Sequence, residues 1–287
     1  MKLQFAGISS AGWATSIALQ NLGIAFDMGV SAEFNLRCGI VLISHAHLDH
    51  IHALDIHILR RSLSGCTEPV LVICPPGDYE FIKRRLSLLK EDLQSAYELK
   101  AVEPGLTFPL KGNLRVAPFK TLHTELNSQG YVVYEVRQKL LPALQGVPGP
   151  TLAQMKARGE QITEELLVPL VTYTGDTTPL IWNSQNSSPE KQFALRAAVK
   201  ITECTYIGEN DTIEEALRRG HTHSNQLGDF VQDNCLGGQS LILHHFSRKY
   251  SNGEIRYEIK GKEGGPFGSL THLIYPDDKV WEIEVNI

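Results

Sequence analysis

Residues 44–50 read Ser44-His45-Ala46-His47-Leu48-Asp49-His50, directly after the apolar run Ile40-Val41-Leu42-Ile43. The chain holds 11 histidines in 287 residues, and composition alone would set three of them and a carboxylate into this pattern in roughly one chain in a thousand of this length. An apolar strand opening into a turn rich in imidazole and carboxylate suits a metal such as zinc, which takes neutral His nitrogen and Asp oxygen as ligands. On a strand, His45 and His47 would point to one side by the two-residue alternation. Asp49 and His50 would lie past the strand end, where a turn can aim them at a second ion. The competing reading is a His-rich surface turn.

Working outward, apolar alternation predicts short strands near 2–8, 14–20, 23–27 and 39–43, then a helix over about 51–64 and a strand at 70–74. Phe81, Ile82, Leu86, Leu89 and Leu93 stand at helical spacing after Pro75-Pro76-Gly77, which predicts a helix over 78–93. Strands follow near 97–103, 106–111, 114–119 and 130–137. Residues 138–168 break the rhythm: Pro142, Gly146, Pro148, Gly149 and Pro150 precede a polar stretch, the mark of an inserted arm rather than core. Strands return at 169–174, 198–203 and 240–243, with helices near 190–197, 212–219 and 224–235. No internal repeat and no long linker divides the chain, so one domain over 1–287 with an arm at about 138–168 is expected. Mixed sheet layered with helices suits this order, an α/β or α+β fold.

A dinuclear site needs further ligands at strand ends. His123 follows one predicted strand in Thr121-Leu122-His123-Thr124, Asp176 another in Thr174-Gly175-Asp176-Thr177, and His244-His245 a third after Leu241-Ile242-Leu243. A lone His after a strand is more often a satisfied polar residue. Four such signals in one chain carry far more weight.

This order of motifs resembles the metallo-β-lactamase superfamily, and within it the ribonuclease Z family of tRNA 3′-processing endonucleases, over essentially the whole chain. The further matching stretches are Thr202-Glu203-Cys204-Thr205-Tyr206, Gly220-His221-Thr222-His223-Ser224 and Leu243-His244-His245-Phe246-Ser247-Arg248-Lys249-Tyr250. The resemblance implies an αββα sandwich with two metal ions between its sheets, zinc first and manganese or iron as alternatives. It places His45, His47 and His123 on one ion, Asp49, His50 and His245 on the other, and Asp176 between them. His245 rather than His244 takes the ligand position, because the following Phe-Ser sets the register. It implies that His221 is the proton donor to the leaving ribose oxygen, oriented by Glu203, with His223 the competing candidate, and that Asp49 also holds the attacking hydroxide. Pro148-Gly149-Pro150 and Met155-Lys156-Ala157-Arg158-Gly159-Glu160 resemble the base of a short tRNA-gripping arm, and the family's short members imply a homodimer. Two departures stand out. Gly7-Ile8-Ser9-Ser10-Ala11-Gly12-Trp13 lacks the family's Pro and Lys, and Asp27-Met28-Gly29-Val30 replaces D-C-G-E-G.

Composition narrows the alternatives. No apolar stretch approaches the ~20 residues of a membrane helix, and the first residues alternate like a strand rather than an export signal, so no membrane partner and a cytoplasmic setting are expected. Five cysteines, Cys38, Cys66, Cys74, Cys204 and Cys235, form no C-x-x-C pair and are odd in number, which argues for buried thiols and against a disulfide framework. A net charge of -5 opposes a generally basic coat, although dications held by five His and two Asp would reverse the sign locally. The pairs Arg60-Arg61, Lys83-Arg84-Arg85, Arg218-Arg219 and Arg248-Lys249 read as solvated helix faces. Three functions follow in order: a zinc phosphodiesterase acting on RNA, foremost tRNA precursors; a hydrolase of a small phosphodiester such as a cyclic nucleotide; and a metal-stabilised RNA-binding protein without turnover.

Overall fold

The structure is a computed structural model, and it describes residues 1–90, 93, 96–124, 127–182, 188–233, 239–261, 267–268 and 270–287. Two seven-stranded sheets face each other. The first contains β1 (Lys2–Ser10), β2 (Ala14–Leu19), β3 (Ile24–Phe26), β4 (Ile40–Leu42), β5 (Val70–Cys74) and β6 (Tyr97–Ala101) in chain order. The second runs from β7 (Phe108–Pro109) through β8 (Leu114–Lys120), β9 (Gln129–Leu140), β10 (Thr163–Tyr173), β11 (Val199–Glu203) and β12 (Ser240–His244) to β13 (Thr271–Leu273). The chain then returns to the first sheet as β14 (Trp281–Asn286), antiparallel to β1. β3 to β6 pair in parallel, as do β10 to β13.

The apolar runs have a simple cause. The inner strands of these sheets are covered on both faces, so alternate residues serve different cores. On β4, Leu42 joins Phe5, Ile17, Phe26, Tyr131, Tyr173 and Ile201 in the core between the sheets. Its neighbours Val41 and Ile43 turn outward to Ile51, Leu54, Ile58 and Ile82. Each such side chain contributes about 1.5–3 kcal/mol by leaving water. Those outer residues belong to helices α1 (Leu48–Ile51), α2 (Leu54–Leu63) and α3 (Tyr79–Leu86), which cover the first sheet. α4 (Gly149–Ala157) stands apart with no buried residue. α5 (Pro189–Leu195), α7 (Ser224–Asp233) and α8 (Asn252–Arg256) lie on the second sheet's side, and α6 (Ile213–Arg218) precedes α7 in the chain. The order of layers is α, β, β, α.

Several expectations need correction. β4 stops at Leu42, so His45 and His47 are not on a strand. Ile43 N–H still reaches Ile73 O at 2.8 Å, but the next amide, Ser44 N–H, is captured at 2.7 Å by the Asp27 carboxylate, which ends the ladder. Residues 138–168, expected as an inserted arm, contain strand as well as helix. β9 and β10 continue into them in register from Arg137↔Leu166 to Leu140↔Thr163, and α4 caps the ribbon. α3 ends at Leu86, short of the expected 93, and residues 91–92 lie outside those described. Arg61 is no solvated cation: it is buried and donates to Leu36 O at 2.9 Å. Cys66 is exposed in the turn after α2, whereas Cys38, Cys74 and Cys204 are buried thiols. Cys235 and the last part of the helix expected over 224–235 lie outside the described residues. Among the described residues no helix is long and apolar enough to cross a membrane.

Candidate metal centre and active site

The loops at one end of the two sheets bring all nine predicted residues together. From the first sheet, the turn after β4 carries His45 and His47, and the short helix α1 that follows carries Asp49 and His50. From the second come His123 after β8, Asp176 after β10, Glu203 at the end of β11, His221 after α6 and His245 after β12. His45, His47, His123 and Asp176 offer ligand atoms within 4.8 Å of one another, and Asp49, His50 and His245 form a second such group. Asp176 lies between them, its Oδ2 3.9 Å from His45 Nε2, 3.3 Å from His50 Nε2 and 3.4 Å from His245 Nε2. Asp49 Oδ2 stands 3.6 Å from His50 Nε2 and 3.4 Å from His245 Nε2.

Hydrogen bonds behind the rings settle which nitrogen carries the proton. Ser44 Oγ donates to Asp27 at 2.8 Å, so it accepts from His45 Nδ1–H at 2.9 Å. Thr205 Oγ1 donates to Glu203 at 2.5 Å and therefore accepts from His245 Nδ1–H at 3.1 Å. His123 Nδ1–H donates to Gly220 O at 2.8 Å, and His50 Nδ1–H to Asp27 at 2.7 Å. Each ring thus turns Nε2 inward, the arrangement by which outer partners fix metal-binding imidazoles. His45 Nε2, His50 Nε2 and Asp176 Oδ1 are buried with no hydrogen-bond partner, which is costly for polar atoms. Convergent lone pairs and carboxylates fit a pair of cations.

The same charges govern the protonation of the site. Burial, followed by the neighbouring His50, holds His45 well below the ordinary imidazole range. Burial would lower His50 too, but the Asp176 and Asp27 carboxylates outweigh it and raise His50 well above that range. Burial opposes ionisation of Asp176, yet His245 and His50 keep it strongly acidic. Asp49 is likewise held low by His245 and His50 against its burial. The carboxylates draw positive charge into the cluster.

Beside it stands a further pair, whose His221 also lies within 4.8 Å of the ligand atoms of Asp176 and His245. His221 Nδ1 lies 2.9 Å from Glu203 Oε1. Glu203 is fully buried and also accepts from Thr177 N at 2.8 Å, from Thr205 N at 3.2 Å and from Thr222 N at 3.2 Å. Burial pushes His221 down, but the Glu203 charge and hydrogen bond prevail and bring it up to about 9. Gly220 seats this ring: its φ is +71°, and a Cβ there would fall 2.7 Å from Thr124 N. The neighbouring His223 and His244 face elsewhere. His223 accepts from Asn225 N at 3.2 Å and so caps α7. His244 lies 3.0 Å from Ser9 Oγ and stacks on Tyr173.

Sequence reading missed Asp27, Ser44 and Thr205, which position the rings rather than face the cluster. Asp27 had a signal, an acid at a strand end in Asp27-Met28-Gly29, and it adopts φ 56°, a region that Asp tolerates better than most residues.

Residues 35–246 match the family model of the beta-lactamase superfamily domain. The chain is 33% identical over 255 residues to tRNase Z TRZ2, chloroplastic, of Arabidopsis thaliana, covering 88% of this chain and 70% of that one. It is 30% identical over 253 residues to tRNase Z TRZ1 of the same plant, covering 87% of each. The crystal structure of human tRNase Z, short form, superposes with a TM-score of 0.58 at 17% identity and 98% coverage of both chains, a likeness of fold.

Proposed function

Since the chain belongs to the beta-lactamase superfamily and, within it, to the tRNase Z family of metal-dependent hydrolases, we propose that it is a zinc-dependent endoribonuclease that trims tRNA precursors on their 3′ side. His45, His47 and His123 would hold one ion, Asp49, His50 and His245 the other, and Asp176 both. When bound, two zinc ions supply Lewis acidity and activation of the attacking water. The remaining work falls to the chain. His221 keeps its Nδ1 proton on Glu203 and offers the Nε2 proton to the departing ribose oxygen, while Asp49 orients the nucleophile. Glu203, held by three backbone N–H groups and the Thr205 hydroxyl, keeps its charge and place as the imidazole changes protonation.

The Glu203 and His221 pair carries this reading. A metal-stabilised scaffold has no use for a buried carboxylate spent on orienting one partly open imidazole. The ribbon of β9 and β10 with α4 is proposed as the tRNA-gripping arm of a single domain, presented by one copy of a homodimer to the other. Light scattering at micromolar concentration tests the dimer, and a monomer overturns it. Zinc-loaded protein incubated with a 3′-extended tRNA precursor and with bis-p-nitrophenyl phosphate tests the reaction. Cleavage of both, with two metal equivalents per chain, supports the proposal. Turnover of the small ester alone moves the function to a small phosphodiester.

A further inference from the structure

Trp13 is the largest apolar side chain near the cluster that folding leaves in water, with 66% of its surface exposed. Isolated exposed apolar residues are ordinary, but this one is tied to the site on both sides. It closes the turn between β1 and β2, where its own N–H bonds Ser10 O at 3.0 Å and Ala11 N–H bonds Phe246 O at 3.2 Å. Between them Gly12 N–H donates to Asp49 Oδ2 at 2.9 Å. The indole therefore stands one residue from a direct contact to a candidate metal ligand. The ring also has a cationic partner. The Arg248 guanidinium lies 4.4 Å from the ring centroid, and Arg248 is itself held by Asp278. Arg248 follows His245 by three residues, so ring and cation are both anchored to the second ligand group. Among the described residues, the other ring face has no aromatic or cationic partner.

An exposed indole with a guanidinium on one face and, among the described residues, no aromatic or cationic partner on the other matches how single-stranded nucleic acids are held: by stacking on aromatic rings, with cations close to the backbone. We propose that Trp13 is a stacking platform for one nucleobase of the RNA beside the scissile phosphate, with Arg248 clamping the ring so that the base takes the other face. This rests on the endoribonuclease reading above. Trp13 is thus a positioning residue for the substrate, in a loop whose sequence departs from its family, and it takes no part in proton transfer.

The test is a double cycle on the zinc-loaded full chain. Trp13→Ala and Trp13→Phe are assayed on a 3′-extended tRNA transcript and on transcripts carrying a single abasic site at each nucleotide flanking the cut. Loss of a stacked base reduces binding by about 5- to 150-fold. Trp13→Ala should raise KM within that range with little change in kcat, and Trp13→Phe should restore most of the loss. At one abasic position the Ala substitution should have no further effect. Effects that multiply at every position, or a Trp13→Ala enzyme within twofold of wild type on intact RNA, overturn the platform while leaving the endoribonuclease reading standing. A wild type that hydrolyses bis-p-nitrophenyl phosphate but leaves the RNA uncut overturns both.

Discussion

Asp27→Asn changes one buried oxygen to an amide nitrogen, and the surrounding donors leave that nitrogen nowhere to go. Oδ1 accepts from Ser44 N at 2.7 Å, while Oδ2 accepts from Ser44 Oγ at 2.8 Å, His50 Nδ1 at 2.7 Å and Tyr173 OH at 2.5 Å. The two hydroxyls can rotate to accept instead. The Ser44 amide cannot, and His50 can do so only by moving its proton to Nε2, the atom that faces Asp176. With the amide nitrogen at the Oδ1 position, two N–H groups oppose each other and cost about 1–3 kcal/mol of stability. At the Oδ2 position, His50 loses the inward lone pair on which the second ligand group relies. Loss of such an outer partner typically weakens metal binding 10- to 100-fold. Asn tolerates the positive φ as Asp does, so backbone strain does not confuse the result. With the nitrogen at the Oδ2 position, zinc titration against a competing chelator should show one equivalent weakened by about 10- to 100-fold and the other less affected; with it at the Oδ1 position, urea unfolding of the metal-free protein should show the loss of about 1–3 kcal/mol. A variant that binds both equivalents within threefold of wild type and unfolds at the same urea concentration would refute the assigned hydrogen-bond directions.

Further outcomes can be checked alongside it. His221→Ala should retain two metal equivalents by elemental analysis but cut RNA ~10²–10⁴-fold more slowly, with much of the rate recovered on a p-nitrophenyl ester, whose leaving group needs little protonation; equal losses on both substrates, or loss of metal, would remove His221 as the acid. Gly29→Ala would place a methyl 1.8 Å from Asp49 O and 2.6 Å from Thr15 N, so it should lower the thermal midpoint strongly, and a midpoint near wild type would contradict the close approach of α1 to β2. Lys200, buried on β11, is pushed down to about 7 by burial. The unfolded chain keeps that proton up to the ordinary lysine range, so between about pH 7 and 10 unfolding takes up a proton and stability rises with pH, by at most ~1.4 kcal/mol per unit from this residue. Lys200→Met should remove that slope in denaturant titrations across the window, and an unchanged difference between wild type and variant at every pH would refute it.

How far the sequence could be read depended on what each residue faces. The ligand residues were legible because a strand end followed by imidazole or carboxylate is unusual at four separate places. Their supports were not. Ser44, Asp27 and Thr205 are ordinary polar residues whose role exists only because β3, β4, β11 and β12 set them behind the rings. The strands within the arm are not legible because its ribbon has no core face: Leu166 and Leu167 are both exposed, so the alternation that marks a half-buried strand is missing, and the Pro and Gly cluster at 142–150 dominates. β13 has three residues, too few for any period. β14 is different, since Trp281-Glu-Ile-Glu-Val-Asn alternates with Ile283 and Val285 buried, and that signal was available but passed over.

The two ligand groups share a property of sequence distance. The first spans from His45 to Asp176 and the second from Asp49 to His245, so neither can be assembled by a local stretch of chain. Closing loops of this size costs entropy before any coordinate bond returns it, and the strands that carry the later ligands must already be paired. Under the proposed ligand assignment, completion of the second group would therefore come late in synthesis. A nascent chain that has not yet released residue 245 lacks one member of the second group, however well its first sheet has formed, and under the proposed assignment full metal content would record that both sheets were completed.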